Sequence, residues 1–430
     1  MKTSRIGVIL TLLTTTVGLG AYAQEGPTVD PSEGLQVIVG PGGTGLDPLA
    51  VPEVRCIDAP ATLCRSIADM LRRDMTLTFL FSVLPSRSYL VDPVNEPLEA
   101  PQFNDWNNIG TRWLVKAEVR GKGPFDVDFR FFNVTDKSNV RIREQSFRGV
   151  SEGGAKKAVH DFANGVVEAR TGVAGVFGTR IAYSVKVSAG VKAIGSISMD
   201  GLDKTGIVSN GNINTLPAWG FGGVLYTSFA DGKPDLFFGR KKLTRDDGHY
   251  RKVAVSPDGS KMVASVSYGG QSDLYLLSQD GSVIKNLTNT DADEVSPTFS
   301  PDGGQVAFVS NQAGSPQIYV MSVGGGGMRR LTNAGGYNYS PDWGKNGLIV
   351  FAAMDDGGSD IFSVSESGEM RRLTQDQGFN KDPSWSRDGR YVAFISTRSE
   401  GSGIYVMSAD GRYQMLVAKG GGYGNTAWER

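Results

Sequence analysis

Short apolar runs separated by tight-turn residues recur through the second half of the chain. A bulky residue followed by Ser-Pro-Asp-Gly, or by a variant of it, begins at Val255, Phe299, Trp343 and Trp385. A degenerate copy begins at Trp219, and a copy cut off by the chain end begins at Trp428, so that successive copies are 36, 44, 44, 42 and 43 residues apart. A period of this length is typical of propeller blades with four short strands each.

Each repeat predicts the same four strands. The bulky residue ends the first strand, and the turn then uses proline to preset φ and glycine to take the positive φ. Apolar runs such as 306–308 and 318–320 predict the second and third strands, and a fourth strand ends in Leu-Thr, as at Leu331 and Thr332. The hydrophobic pattern and the turn residues therefore agree on a β structure.

The ends of the repeat region complement each other. The first strand that ends at Trp428 has no successors, whereas strand-like segments between Ile181 and Val208 have no first strand of their own. Pairing the two ends closes a ring and removes the exposed sheet edges. We therefore predict a mainly β chain with a six-bladed β-propeller over residues 178–430, closed by its C-terminal strand. A β-solenoid is the alternative, but it would not leave complementary fragments.

Residues 35–172 lack the repeat and predict a small α/β domain. We expect Asp58 to cap a helix over 59–75, because apolar residues there follow a 3–4 spacing. Three antiparallel strands at 113–119, 125–134 and 140–147 follow, and then a helix from Ser151 to Arg170 with Gly172 beyond its end.

The N-terminus has the features of a secretory signal peptide over residues 1–23. Lys2 and Arg5 precede an apolar stretch, and small residues at Ala21 and Ala23 fit a cleavage site. Residues 24–34 are polar with two prolines and predict a flexible tail. Gln24, and not a cysteine, directly follows the cleavage site, and no later stretch suits a membrane helix. We therefore expect a non-lipidated protein of the periplasm that is not inserted in a membrane.

Composition narrows the possible functions. With 44 Lys and Arg against 45 Asp and Glu, the net charge of −1 argues against a nucleic-acid-binding surface. Cys56 and Cys64 can form a local disulfide in an oxidising compartment, although two free thiols remain an alternative. His160 and His249, the two histidines, are far apart, which predicts no metal site and no cofactor.

Two motifs imitate ligand sites. Residues 40–45 fit G-x-G-x-x-G, but Pro48 and Pro52 prevent the helix that a dinucleotide site needs, so we interpret them as a glycine loop. A cluster of acids suggests calcium but lacks the required glycine and ligand spacing, so we interpret it as a solvated loop. Its members are Asp291, Asp293 and Glu294.

A third motif imitates a hydrolase. Residues 149–153 fit G-x-S-x-G between a strand and a helix. A catalytic triad would need a histidine from elsewhere on a large parallel sheet, and His160 falls in the same predicted helix as the serine. We therefore predict that Ser151 caps that helix and that the chain is not an enzyme.

The loops that enter each first strand predict a binding surface. In a propeller these loops ring one mouth of the central channel. Aromatic residues or histidine recur there beside polar groups, which protein interfaces favour. The candidates are Asn214, His249, Tyr250, Asp293, Glu294, Tyr337, Asn338, Phe379, Asn380, Tyr423 and Asn425. The alternative is that these aromatic side chains pack under their own loops.

The chain resembles the TolB family of the periplasmic Tol–Pal system. The segment Phe177-Gly178-Thr179-Arg180-Ile181-Ala182-Tyr183 at the domain junction carries the resemblance, together with the Ser-Pro-Asp-Gly repeats. The order of signal peptide, small α/β domain and six-bladed propeller matches the family along nearly the whole mature chain.

The resemblance implies a non-enzymatic scaffold that links inner-membrane Tol proteins to the peptidoglycan-associated lipoprotein Pal, in support of outer-membrane integrity and constriction at division. It implies Pal binding at the mouth, where His249 matches a family histidine. It also implies TolA binding by an N-terminal segment similar to Leu35, Gln36, Val37, Ile38 and Val39.

We expect a monomer that binds no nucleic acid. An alternative from another class is the propeller of a periplasmic peptidase-like or carbohydrate-processing protein. A surface-exposed, adhesin-like propeller is a third.

Overall fold

The computed structural model describes residues 38–39, 45–90, 95–355, 357–375, 377–399 and 401–430. The predicted signal peptide (1–23) and tail (24–34) lie outside the described residues. So do Leu35, Gln36 and Val37, and residues 40–44 of the glycine loop.

The N-terminal domain combines a sheet with three helices. Its strands are β1 (Ile38–Val39), β2 (Asp47–Ala50), β3 (Arg55–Ile57), β4 (Phe81–Val83), β5 (Trp113–Arg120), β6 (Phe125–Asn133), β7 (Ser138–Val140) and β8 (Ser146–Val150). Its helices are α1 (Ala61–Leu77), α2 (Phe103–Asn108) and α3 (Glu152–Thr171), with a 3₁₀ turn at Ser86–Ser88.

The sheet of this domain is mixed, whereas the sequence predicted three antiparallel strands. Its order is β4-β2-β5-β6-β7, with β3 beside β5 and β8 beside β6. Strand β2 runs parallel to β4 and to β5, and only β6, β7 and β8 add antiparallel pairs. The predicted strand 140–147 divides into β7 and β8, which both pair with β6. Strands of three or four residues, such as β2, are too short to show a period in the sequence.

The helix ends test two predicted caps. Ser151 caps α3 as predicted, because its hydroxyl accepts a hydrogen bond from Gly154 N, and Gly172 ends the helix at φ 77°. The predicted cap at Asp58 is wrong. Pro60 takes that position in α1, its carbonyl accepts the first amides of the helix, and Asp58 itself has a φ of 59°. Cys56 on β3 and Cys64 in α1 are joined by a disulfide with Cα atoms 6.3 Å apart.

The propeller contains twenty-four strands in the described residues. In blade 1 they are β9 (Arg180–Ser188), β10 (Val191–Ser198) and β11 (Lys204–Val208), and in blade 2 β12 (Asn214–Gly220), β13 (Gly223–Ser228), β14 (Asp235–Phe238) and β15 (Lys241–Lys242). Blade 3 has β16 (His249–Val255), β17 (Lys261–Ser267), β18 (Ser272–Ser278) and β19 (Val283–Asn286), and blade 4 has β20 (Glu294–Phe299), β21 (Gln305–Ser310), β22 (Gln317–Ser322) and β23 (Arg329–Arg330). Blade 5 has β24 (Tyr337–Trp343), β25 (Ile349–Asp355), β26 (Gly358–Val364) and β27 (Met370–Arg372), and blade 6 has β28 (Asn380–Trp385), β29 (Tyr391–Ser396), β30 (Gly403–Ser408) and β31 (Tyr413–Lys419). The last strand is β32 (Tyr423–Trp428).

The ring closes as the sequence predicted. Strand β32 pairs antiparallel with β9, and Trp428 lies opposite Ile181. The blade therefore has the order β11-β10-β9-β32, with its inner strand from the C-terminus. Six blades and a preceding α/β domain confirm the predicted fold class.

The first strand of each blade lines the channel and carries the same irregularity. The register with the second strand shifts after two residues, or after three in β24, for example between Thr215 and Ala218 in β12. In five blades the residue after the shift has a positive φ, as Ser340 does at 50°. Proline follows in four blades, as Pro341 does after Ser340. A bulge leaves the amide of that residue outside the ladder, so proline is tolerated.

The N-terminal domain packs against blades 6 and 1 at one end of the propeller. Phe79, after α1, lies against Tyr391 and Tyr413 of blade 6, each with its ring centroid 6.0 Å away. The Trp428 indole donates to Thr179 Oγ1 at 2.9 Å. These contacts lie where first strands turn into second strands, so we call this end the turn end and the opposite end the loop mouth.

Candidate protein-binding site at the loop mouth

The loop mouth has three predicted residues at its surface. His249 is exposed, Tyr337 is 46% exposed and Phe379 is 50% exposed. Each lies where a loop between two blades enters a first strand. Large rings that keep half their surface in water without closing a core are typical of protein interfaces.

Two further apolar side chains at this end were missed from sequence. Tyr268 is 48% exposed and Met354 is 40% exposed. Both lie where the second strand of a blade meets its third, and these connections reach the same end as the loops between blades. The signal was available, because a strand that starts at the turn end must finish at the mouth.

Four predicted mouth residues are fully buried. Asn214, Glu294, Asn338 and Asn380 each have 0% exposure and occupy the same position at the start of a first strand. They stabilise the loops through hydrogen bonds from inside the propeller. For example, the Asn338 amide donates to Gln317 Oε1 and to the Ala334 carbonyl, both at 2.8 Å. Their side chains therefore offer no surface to a partner.

Glu294 occupies the same position as an acid rather than an amide. Its Oε1 accepts from Ser310 Oγ at 2.8 Å and from Thr290 Oγ1 at 2.9 Å. Burial raises the pKa of Glu294, and the two hydroxyls act against that rise. Glu294 therefore fixes its loop by accepting hydrogen bonds, whereas the asparagines at the same position of other blades donate them from their amide nitrogen.

Tyr250 is also buried, although its neighbour His249 is exposed. Its hydroxyl donates to Asp246 Oδ2 at 2.8 Å and lies 3.2 Å from the Tyr268 hydroxyl, which also approaches Asp246 Oδ2, at 2.6 Å. Burial and these hydrogen bonds raise the pKa of Tyr250, so its hydroxyl stays neutral. Tyr250 thus supports Tyr268 at the surface.

The remaining predicted residues are partly buried. Asp293 Oδ1 accepts the Ser272 amide at 2.9 Å. The ring of Tyr423 meets that of Tyr183 edge-on at 5.1 Å. Asn425 Oδ1 accepts the Thr215 hydroxyl at 2.7 Å, across the junction of blades 1 and 2. Their main polar atoms are therefore engaged within the propeller.

The two histidines occupy opposite ends of the propeller. His160 lies between the domains, with Nδ1 2.8 Å from Asp74 Oδ2 and Nε2 3.9 Å from Asp200 Oδ2. Burial would lower the pKa of His160, but the two carboxylates outweigh it and raise this pKa to about 9. Each ring nitrogen faces a different carboxylate, so the group forms an ion pair across the interface.

The chain is similar to proteins of one family over both domains. The model of the TolB amino-terminal domain matches residues 35–140, and the model of the TolB beta propeller domain matches residues 167–429. The chain belongs to the TolB family.

Curated relatives of this TolB-family chain agree. The Tol-Pal system protein TolB of Anaeromyxobacter dehalogenans strain 2CP-1 is 35% identical over 68% of this chain and 67% of its own length. That of Desulfosudis oleivorans is 34% identical over 56% of this chain and 58% of its own length. Several matches thus span less than two thirds of the relative.

A solved structure shares the fold. TolB from Acinetobacter baumannii superposes with a TM-score of 0.76 at 22% identity, covering 92% of this chain and 99% of that one. Among the helices of the described residues, none has the length and apolarity that crossing a membrane requires.

Proposed function

We propose that this TolB-family chain is a non-enzymatic scaffold of the Tol–Pal system in the periplasm, and that it binds the lipoprotein Pal at the loop mouth. Such a scaffold would support outer-membrane integrity and constriction at division. The observation that carries the proposal is the exposure of His249, Tyr337 and Phe379 at the end of the propeller opposite to the N-terminal domain.

The environment of the three exposed residues supports a protein partner. Tyr337 meets Tyr339 edge-on at 5.5 Å, which fixes its ring before a partner arrives. Phe379 N donates to Thr397 Oγ1 at 3.1 Å, which ties its loop to the neighbouring connection. Rings held in place lose little conformational entropy on binding.

A non-enzymatic role is supported by the positions of the serine and the two histidines that could imitate a catalytic site. The hydroxyl of Ser151 accepts a helix amide, and His160 is held by Asp74. His249 lies at the mouth, at the other end of the propeller. A screen of the purified chain against peptide and glycoside substrates should show no turnover.

The direct test measures retention of Pal by variants of the mouth. We expect Tyr337→Ala with Phe379→Ala to weaken binding about a hundredfold, because central aromatic anchors carry roughly 2 kcal/mol or more in interfaces. Adding His249→Ala should weaken it further. Unfolding midpoints should stay unchanged, since all three side chains are exposed.

The matched control removes exposed apolar surface elsewhere. Val283 and Ile284 on the outer strand β19 are 42% and 52% exposed, and changing both to alanine should leave Pal binding intact. If the mouth variant binds Pal normally, or if the control loses binding equally, the assignment of the mouth is wrong.

We also propose that the segment ending in Ile38 and Val39 contacts an inner-membrane Tol protein such as TolA. These two residues pair antiparallel with Tyr413 and Gln414 of β31. In the same retention assay, aspartate at both positions should reduce TolA binding. Unchanged TolA binding would remove this segment from the proposal.

A further inference from the structure

The turn end of the channel opens into a cavity of about 480 Å³, which we call the turn vestibule. This volume falls in the range of small-molecule sites, roughly 300–1,000 Å³. Every blade contributes to the wall of the vestibule the second residue after the bulky residue of its repeat. In blade order these residues are Phe221, Pro257, Pro301, Lys345, Arg387 and Arg430.

These six positions divide into two arcs. The apolar arc consists of Phe221, Pro257 and Pro301, from the consecutive blades 2, 3 and 4. The cationic arc consists of Lys345, Arg387 and Arg430, from blades 5, 6 and 1. Consecutive blades are neighbours in a closed ring, so the two arcs face each other across the vestibule.

The charge of the cationic arc is largely uncompensated. Lys345 and Arg387 are exposed, and within the described part of the chain neither has an ion-pair partner. Arg430 pairs with Asp342 of the channel. Glu429 is an acidic residue in the wall of the vestibule, and its Oε2 accepts a hydrogen bond from the Arg180 backbone amide at 3.0 Å. An anion placed here would meet two cations that no side chain satisfies.

The wall behind the cationic arc is aromatic. Trp343 and Trp385 are 2% and 1% exposed and line the vestibule, and neither indole N–H has an acceptor among the described residues. Gly344 lets them approach, because a Cβ there would lie 2.8 Å from the Trp385 ring. The vestibule thus combines apolar walls with polar donors, as ligand sites do.

We propose that the turn vestibule binds a small amphipathic anion: an aromatic or aliphatic body that carries a carboxylate. The body packs against Phe221, Pro257 and Pro301, and the carboxylate faces Lys345 and Arg387. The site lies at the opposite end of the channel from the loop mouth and does not depend on Pal binding.

The test uses N-acetyltryptophan and its uncharged amide as a pair of ligands that differ in the carboxylate. Binding is followed through the indole N–H resonances of the purified, ¹⁵N-labelled chain, assigned by single tryptophan substitutions. The acid should shift Trp219, Trp343 and Trp385, which line the vestibule. Trp106 and Trp113 in the N-terminal domain should stay in place as internal controls.

Two variants separate the arcs. Lys345→Glu with Arg387→Glu should weaken the acid about tenfold and leave the amide unchanged, because only the charge interaction is removed. Phe221→Asn should weaken both ligands, and asparagine tolerates the positive φ of 55° at this position. Lys261→Glu, an exposed charge at the start of β17, is the matched control and should change neither.

An apolar body with a carboxylate can be the C-terminal end of a peptide or a free small acid. A peptide that ends in a free tryptophan carboxylate distinguishes these two sources. Stronger binding than the free acid assigns a peptide end, and weaker binding assigns a free small acid. The proposal is overturned if none of the three vestibule indoles shifts with either form. It is also overturned if acid and amide bind alike and the charge reversals have no effect.

Discussion

The two ends of the channel are built from the same six blades but present different surfaces. At the loop mouth, loops of different lengths leave Tyr337 and Phe379 exposed while Asn338 and Asn380 lie buried beneath them. At the turn end, short turns of one register place one residue of every blade around the vestibule. The turn end therefore presents one equivalent residue from every blade, whereas the mouth exposes large rings on only some of its loops.

The turns keep their register through a repeated hydrogen bond. Ser256, Ser300 and Ser386 donate to the aspartate two residues on, at 2.6, 2.5 and 2.5 Å. The hydroxyl of Ser256 and the amide and hydroxyl of Ser260 lower the pKa of Asp258 to about 2. The Ser300 hydroxyl and the Gly304 amide likewise lower the pKa of Asp302. The carboxylates of Asp258 and Asp302 therefore stay charged to a lower pH than an ordinary aspartate.

The largest expected effect concerns the closure at the turn end. Trp428 is 1% exposed, stacks on Tyr391 and donates to Thr179 Oγ1. Trp428→Ala should lower the free energy of unfolding by about 4 kcal/mol, measured by urea denaturation, because it leaves a large cavity in the closing blade.

Trp219→Ala is the comparison, since Trp219 is only half-buried. It should cost clearly less than Trp428→Ala. Equal losses would mean that closure by β32 contributes nothing special to stability.

The second effect concerns the ion pair beneath the turn end. Because the pKa of His160 is about 9 in the folded chain and near 6.5 when unfolded, its stabilisation is complete below pH 6.5 and is lost as the pH rises through about 9. Burial raises the pKa of Asp74 to about 6, so that carboxylate is charged over most of this interval. The pKa values differ by about 2.5 units, so the loss should be roughly 3 kcal/mol.

His160→Gln provides the control, since glutamine cannot be protonated. Denaturant unfolding at both ends of the interval should show the decline in the parent chain and little of it in the variant. Equal declines in both would assign the pH dependence to other groups.

The sequence predicted the propeller well because each of its features is repeated. Six copies of one pattern fixed the number of blades and the pairing of Trp428 with the strand at Ile181. The N-terminal domain offered no repetition, and its short parallel strands β2, β3 and β4 depend on long-range pairing that leaves no local pattern. The prediction of Asp58 as a helix cap failed for a similar reason. The positive φ of Asp58 depends on how the chain enters α1, and this also leaves no local pattern in the sequence.

At the mouth, the sequence located the loops correctly. It could not distinguish the buried residues that fix a loop from the exposed residues that are available to a partner. Asn338 and Tyr337 are adjacent and both suit a polar loop, yet the amide is buried and the ring is exposed. Burial there depends on Gln317 and Ala334, which approach from another strand and from the loop itself. By contrast, the six residues that surround the turn vestibule can be derived from the repeat alone once the blades are aligned.

The smallest effect tests that adjacent pair directly. Asn338→Ala should lower the free energy of unfolding by about 1.5 kcal/mol, because Gln317 Oε1 and the Ala334 carbonyl lose their donor. Tyr337→Ala should change it by less than about 0.5 kcal/mol, as is usual for surface positions. Pal binding should respond in the reverse order, since only the tyrosine ring is available to a partner. Both variants are compared under conditions in which each is fully folded. If Asn338→Ala then weakens Pal binding more than Tyr337→Ala does, the Asn338 amide contacts the partner, and the assignment of Asn338 to loop support and Tyr337 to binding is wrong.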